Sequence, residues 1–217
     1  FKHKDVWIKI NDIKTSDYKN LEGGNEFYEE NPLLGWHGIR RALDEQEILK
    51  LEFGAVKRLY ELGYKNVSIM FPFIVNLNEF VKAKEIAKDF GLDVNNIKFG
   101  VVIDTPAICE IIEELCKEGI NFVSFDIKNL TQLTLGVDKN NNRLSHLFDE
   151  KHHSILNKIR RVVNICKEYN IEVNINDVVD PEMIEFLVSI NVDSICVNFN
   201  EIKRIRHIIH MIENKEV

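Results

Sequence analysis

Six short segments rich in Val, Ile and Phe recur along the 217 residues, and their spacing narrows the fold more than any other feature. None alternates strictly between apolar and polar residues, so we predict β-strands that are covered on both faces. Segments with helical periodicity lie between them, and that alternation predicts right-handed βαβ units on a parallel sheet. The predicted strands are Val6–Ile10, Val67–Phe71, Ile97–Ile103, Phe122–Phe125, Glu172–Ile175 and Ser194–Val197.

Six further segments place apolar residues at the 3.6-residue period of an amphipathic helix. The predicted helices are Gln46–Leu62, Asn78–Phe90, Pro106–Lys117, Ser154–Tyr169, Pro181–Ile190 and Glu201–Ile212. Asp180 and Pro181 read as an N-cap followed by proline at the first helical position, and Gly63, Gly91 and Gly119 fall where helices end. A closed (β/α)8 barrel needs two more βα units. We therefore predict an α/β fold of TIM-barrel type that is incomplete here, its first two units lying upstream or missing.

The composition argues against several kinds of partner. The net charge of −7 is spread along the chain without a basic stripe, so we predict binding to neither nucleic acid nor a membrane. Apolar runs are far shorter than the roughly 20 residues of a membrane span, and no signal-peptide pattern opens the chain. The four cysteines lack metal-ligand spacing and read as core residues in a reducing compartment, which predicts a cytoplasmic protein. No linker divides the sequence, so we predict a single domain over residues 1–217.

Polar residues follow most of the predicted strands at their carboxyl ends. These residues are Asn11, Asp12, Asp104, Asp126, Lys128, Asn129, Asn174, Asn176, Asp177, Asn198 and Asn200. In a (β/α) barrel that end of the strands is where binding and catalytic sites are built, so we expect a site there.

The segment between Lys14 and Glu45 has no strong periodicity and is long for a loop in a compact α/β unit. Such loops are often functional. The alternative is a structural excursion that covers the barrel mouth and is packed down by Leu33, Leu34 and Trp36. The segment by itself leaves both interpretations open.

Several motifs together resemble the phosphoenolpyruvate-binding barrel of phosphoenolpyruvate synthases. The motifs are DYKNLEGG at 17–24, EENPLLGWHGIRR at 29–41, MFPF at 70–73, LTQLTLGVD at 130–138 and LFDE at 147–150. The resemblance extends over essentially the whole chain, and pyruvate phosphate dikinases share a weaker version of it. It implies a (β/α)8 barrel that binds phosphoenolpyruvate and pyruvate, with arginines on the phosphoryl group, Mg²⁺ between a Glu and an Asp, and a Cys that protonates enolpyruvate.

At the positions that the resemblance assigns to this chemistry, the chain carries other residues. Lys9 and His37 stand where the family has arginines, and Asp104 stands where it has the metal-binding Glu. Asn129 replaces the second metal carboxylate, and Asn176 replaces the proton-donating Cys. No catalytic residue is therefore predicted with its family identity. The resemblance leaves Asp104 as the one candidate metal ligand and implies Mg²⁺ only if activity remains.

These substitutions lead to a primary hypothesis and two alternatives. The primary one is a catalytically degenerate domain that binds a small phosphorylated or 2-oxo acid, or that acts in assembly or regulation. The alternatives are an active phosphotransferase subunit with separate ATP-binding and phosphohistidine chains, and a 2-oxo acid lyase. The candidate substrate-binding residues are Lys9, His37, Lys128 and Asn129.

Two further expectations follow from the resemblance. We hypothesise that the ammonium of Lys128 fills the vacated metal site between Asp104 and Asp126. A homodimer, or a complex with partner chains of a phosphoenolpyruvate-synthase-like system, is also expected.

Overall fold

In a computed structural model that describes residues 3–24 and 27–214, the chain forms two compact units. The first contains the described residues up to Val102 together with Glu118–Ile120. The second contains Ile103–Lys117 and the described residues from Asn121 onward. The prediction of a single domain stays a prediction.

The sheet of the first unit contains β1 (Val6–Lys9), β2 (Val67–Phe71) and β3 (Phe99–Ile103, whose last residue belongs to the second unit). All pairs are parallel, with Val6 opposite Val67 and Ile69 opposite Phe99. β3 is buried along its whole length, as expected for a strand that helices cover.

The described residues of the first unit form four α-helices. They are α1 (Thr15–Tyr18), α2 (Gly38–Asp44), α3 (Gln46–Glu61) and α4 (Leu77–Asp89). The apolar stripe of α3 buries Leu49, Phe53 and Val56, in agreement with its predicted period. Helix α4 begins at a capping box in which the Asn76 side chain accepts a hydrogen bond from the backbone N–H of Glu79.

The second unit contains β4 (Phe122–Phe125), β5 (Glu172–Asn176) and β6 (Ser194–Cys196), again all parallel. Its helices are α5 (Pro106–Glu110), α6 (Ile112–Lys117), α7 (Ile127–Leu135), α8 (His153–Glu168), α9 (Pro181–Ser189) and α10 (Ile202–Glu213). The predicted N-cap at Asp180 is confirmed, because its carboxylate accepts a hydrogen bond from the Met183 N–H at 2.9 Å. Short 3₁₀ helices lie at Pro32–Leu34, Asn142–Leu147 and Phe199–Glu201.

The prediction of one continuous helix over Pro106–Lys117 is wrong, because Ile111 interrupts it. That residue has φ −97° and ψ 8° and separates α5 from α6. Both short helices keep their apolar residues buried, including Cys109 and Cys116. The apolar pattern therefore continues through an interruption of one residue, and periodicity alone does not detect it.

Helices α2 and α7 are absent from the sequence-based prediction for different reasons. Helix α2 is only seven residues long, too short for a period to emerge. Helix α7 buries the polar residues Asn129, Thr131 and Gln132, which hides its apolar stripe.

The predicted α/β fold with six parallel strands and intervening helices is confirmed. The predicted helix ends at Gly63, Gly91 and Gly119 are confirmed as well, since all three glycines have φ near +90°. Among the described residues, no helix combines the length and apolar character needed to cross a membrane.

Candidate functional site

In the first unit, the candidate residues Lys9 and His37 meet at one carboxylate. His37 is fully buried, and its Nδ1 lies 2.7 Å from Oδ1 of Asp12. The ammonium of Lys9, whose side chain is 44% exposed, lies 3.4 Å from Oδ2 of the same residue. The end of β1 and the residue before α2 are thus joined through Asp12.

The imidazole of His37 is enclosed on its other sides. Its ring centroid lies 4.1 Å from that of Phe73, and Nε2 lies 3.4 Å from the carbonyl oxygen of Leu33. The guanidinium of Arg40 covers Phe73 at 4.6 Å and donates to the Leu34 carbonyl at 3.0 Å. His37 therefore serves the packing of the protein in this structure, with both ring nitrogens beside protein oxygens.

Several interactions compete over the charge of Asp12. Burial raises the pKa of its carboxyl, but the hydrogen bond from His37 and the positive charges of Lys9, His37 and Lys14 together outweigh burial and lower that pKa below the usual 3.8. The carboxylate is therefore held in its charged form, as a buried acceptor with cationic neighbours.

The loop before His37 is held in place by Glu29. Its carboxylate accepts hydrogen bonds from the Trp36 N–H at 2.6 Å and from the Thr15 hydroxyl at 2.8 Å. Of the three residues in the packing alternative, Leu34 has an exposed side chain, and its carbonyl accepts a hydrogen bond from Arg40 instead. Hydrogen bonds to the Glu29 carboxylate and from the Arg40 guanidinium therefore hold this loop.

In the second unit, the candidate metal position Asp104 directly follows β3 and is almost completely buried. Asp126 follows β4, and its backbone N–H donates to the Ile103 carbonyl at 3.0 Å. The Asp126 carboxylate caps α7, accepting from the backbone N–H of Asn129 at 3.0 Å and from its side-chain amide at 2.8 Å.

The other end of the Asn129 side chain meets a lysine that sequence reasoning did not select. The ammonium of Lys139 donates to Oδ1 of Asn129 at 2.7 Å. Lys128 instead lies 3.9 Å from the Asp177 carboxylate and is half exposed. The hypothesis that Lys128 lies between Asp104 and Asp126 is therefore wrong, because its side chain extends along the surface toward Asp177.

Asn176, which the resemblance assigns to the proton-donor position, belongs to a network of hydroxyl and amide groups. Its Nδ2 donates to Oγ of Ser124 at 2.8 Å, and its Oδ1 accepts from Asn174 at 2.8 Å. Ser194 donates to Oδ1 of Asn174 at 3.0 Å and joins β6 to the network. Amide and hydroxyl groups do not titrate near neutral pH, so these side chains orient a ligand better than they move a proton.

The structure thus places these four predicted residues in three separate hydrogen-bond networks. Lys9 and His37 share Asp12 in the first unit, while Asn129 and Asn176 belong to separate hydrogen-bond networks in the second. Ser124 had a signal in the sequence, since it is a polar residue inside the apolar strand β4. Lys139 had none. Among the described residues, no three His, Cys, Asp or Glu side chains are grouped so that they would hold a metal ion.

Comparison with known proteins identifies the family. Residues 1–214 match the model of the PEP-utilising enzyme, PEP-binding domain. The chain belongs to this family. Two curated relatives agree with that match. A probable phosphoenolpyruvate synthase from Pyrococcus horikoshii is 41% identical over 213 residues, and a phosphoenolpyruvate synthase from Pyrococcus furiosus is 40% identical over 219 residues.

The match covers nearly all of this chain but a small part of each relative. It includes 96% and 99% of the chain, against 26% and 27% of the two phosphoenolpyruvate synthases. The chain therefore spans about a quarter of the length of these curated relatives.

Solved structures support the fold class. A citrate lyase from Burkholderia xenovorans superposes with a TM-score of 0.56 at 9% identity, over 96% of this chain and 58% of the other. Haloferax volcanii malate synthase gives 0.50 at 13% identity, over 79% and 48%. At such identities the likeness concerns the fold alone, and it agrees with the predicted barrel-type α/β class.

Proposed function

We propose that this chain is a phosphoenolpyruvate-synthase-like domain that has lost phosphoryl-transfer catalysis and serves in binding, assembly or regulation. One observation carries the proposal. At three positions assigned to the family's chemistry, the side chains are engaged by the protein itself: His37 by Asp12, Asn129 by Asp126 and Lys139, and Asn176 by Ser124 and Asn174.

The size of the expected loss supports this function over an active one. Removing a single transition-state contact costs about 3–4 kcal/mol, or a factor of roughly 10²–10³ in rate. Here the phosphate-binding arginines, one metal carboxylate and the proton donor are all replaced. Even with partial compensation among neighbouring groups, losses of this size at several positions remove most of a catalytic acceleration.

Binding is a separate matter, because it needs fewer groups. The Lys9 ammonium is partly exposed and close to Asp12, and Lys128 is exposed beside Asp177. An ammonium interacts with phosphate or carboxylate as a point charge, without the two-point geometry of arginine. We propose weak binding of a small phosphorylated or 2-oxo acid.

The second candidate is an active subunit that makes phosphoenolpyruvate from pyruvate with separate ATP-binding and phosphohistidine chains. The observation in its favour is the identity of about 40% to proteins named phosphoenolpyruvate synthase. The 2-oxo acid lyase has no comparable support, because its structural relatives share only the fold.

A coupled assay of ATP-dependent phosphoenolpyruvate formation from pyruvate separates the two candidates. The full chain is tested alone and with candidate ATP-binding and phosphohistidine chains, with the Pyrococcus furiosus enzyme as positive control. We expect no product above background. Turnover that disappears in a folded His37→Ala variant would establish the active alternative. Calorimetry with phosphoenolpyruvate, with and without Mg²⁺, measures binding independently of turnover.

A further inference from the structure

Beside the first turn of α7, an ammonium, an amide and a carboxylate are hydrogen-bonded in series. The Lys139 ammonium donates to Oδ1 of Asn129, and Nδ2 of the same amide donates to the Asp126 carboxylate. Asn129 is buried, and Lys139 is half-buried. The positive charge at the amide oxygen and the negative charge at the amide nitrogen therefore fix the orientation of this side chain. Exchanging the oxygen and the nitrogen by rotation would break both hydrogen bonds.

This arrangement does not fit the divalent cation that the family resemblance implies. Mg²⁺ takes oxygen ligands in near-octahedral geometry and is held in proteins mainly by carboxylates. Asn129 is neutral, and its single oxygen already accepts from an ammonium at 2.7 Å. Its nitrogen carries hydrogens and has no lone pair for a metal. A second cation on that oxygen would be repelled by the positive charge of Lys139.

The chain holds Lys139 at this place through its backbone as well. The backbone N–H of Lys139 donates to Oε1 of Gln132 at 3.0 Å, and Gln132 is buried in α7. The helix ends at Leu135, and its C-cap Gly136 has a φ of +65°, which lets the chain turn back. The ammonium thus returns to the first turn of the helix from a backbone that is already anchored, which lowers the entropy lost in ordering its side chain.

We propose that the ammonium of Lys139 takes the place of the divalent cation and that this position excludes Mg²⁺. A side chain of the protein then supplies the positive charge, and the neutral amide of Asn129 is the group that accepts its hydrogen bond. This inference rests on the family membership that underlies the proposed function. The inference concerns metal occupancy, whereas the proposed function concerns turnover, so either one can fail without the other.

Binding of Mn²⁺, followed by the loss of the free-ion signal in electron paramagnetic resonance, tests the inference on the full chain. The variants are Asn129→Asp, Lys139→Met and the double variant that combines them. The double variant restores a carboxylate at position 129 and removes the ammonium at position 139, while methionine keeps an apolar side chain there. The matched control combines Asn129→Asp with Lys128→Met, which removes a neighbouring lysine that contacts Asp177 instead. Circular dichroism confirms that each variant is folded.

We expect the wild-type chain to leave Mn²⁺ free and the Asn129→Asp, Lys139→Met variant to bind it, with Mg²⁺ competing. The control variant should bind at least about tenfold more weakly, because the nearer ammonium is retained. Wild-type binding of Mn²⁺ that Asp104→Asn abolishes would overturn the proposal. So would a folded Asn129→Asp, Lys139→Met variant that binds no better than the control. Phosphoenolpyruvate formation is assayed separately and decides only the proposed function.

Discussion

At the scale of single residues, the roles of His37 and Lys9 depend on the carboxylate that they share. His37 is fully buried against Phe73 and hydrogen-bonded to Asp12. Lys9, whose side chain is more exposed than that of His37, contacts the same carboxylate. Asp12 is thus the carboxylate that both Lys9 and His37 contact.

The depressed pKa of Asp12 predicts a loss of stability in acid. In the folded state the pKa of the Asp12 carboxyl lies below its usual value of 3.8. The unfolded state therefore takes up the proton first as the pH falls. The stabilisation is complete above that value and is lost as pH falls through the folded pKa. Asp12→Asn should therefore flatten the decline in the free energy of unfolding as the pH falls below about 4.

Urea denaturation at a series of pH values measures this slope. Asp89→Asn, at an exposed position, is the matched control for removing one carboxylate. An Asp12→Asn variant with the same acid slope as the wild type would contradict the assignment.

At the scale of elements, α2 begins where two backbones approach closely. Gly38 has φ +58°, and the next residue, Ile39, donates its N–H to the Pro72 carbonyl at 3.0 Å. Phe73 itself has φ +62°, which is uncommon for an aromatic residue. Helix α2 thus begins at Gly38, where there is no room for a side chain, and this close contact fixes the position of its N-cap residue, His37.

Gly38→Ala should cost more stability than an alanine at another left-handed glycine. A Cβ at Gly38 would lie 2.9 Å from the Phe73 Cβ and 3.1 Å from the Pro72 oxygen, whereas one at Gly119, with φ +90°, meets nothing within 4 Å. Backbone strain alone costs about 1–2 kcal/mol, and the clash adds roughly 1–3 kcal/mol. Chemical denaturation of Gly38→Ala and Gly119→Ala gives the difference. Equal losses would show that the contact with Phe73 has no energetic weight.

At the scale of the whole molecule, the described fold buries three of its four cysteines, and Cys196 on β6 is exposed. Burial raises the pKa of Cys109 to about 12, partly offset by the charges of Lys158 and Arg161, so it stays a thiol at neutral pH. The prediction that the cysteines are apolar core residues is confirmed for Cys109, Cys116 and Cys166. It is wrong for Cys196, because the short strand β6 leaves that side chain exposed.

Thiol modification therefore reports on the intact fold. Because Cys196 is the exposed thiol, we expect the native chain to react rapidly with about one equivalent of Ellman's reagent and the denatured chain with about four. Cys196→Ser should remove the rapid phase. Rapid reaction of a second thiol in that variant would show that the core opens readily.

Much of the architecture was accessible from sequence because its causes are local. A run of β-branched and aromatic residues such as Val67–Phe71 forms a strand because both of its faces are buried. The Asp180-Pro181 pair starts a helix because the carboxylate caps it and the fixed φ of proline suits its first turn. The family motifs, in turn, indicated which positions to compare.

The sequence by itself therefore determined the fold class and nearly all strand positions, and its resemblance to the family proposed a list of altered residues. The tertiary structure alone decided the partners: Asp12 for His37, Lys139 for Asn129, and Asp177 for Lys128. The physical reason is one of range. Periodicity and caps act over a few neighbouring residues, whereas a hydrogen bond between residues distant in sequence depends on how strands, helices and turns place two side chains within about 3 Å.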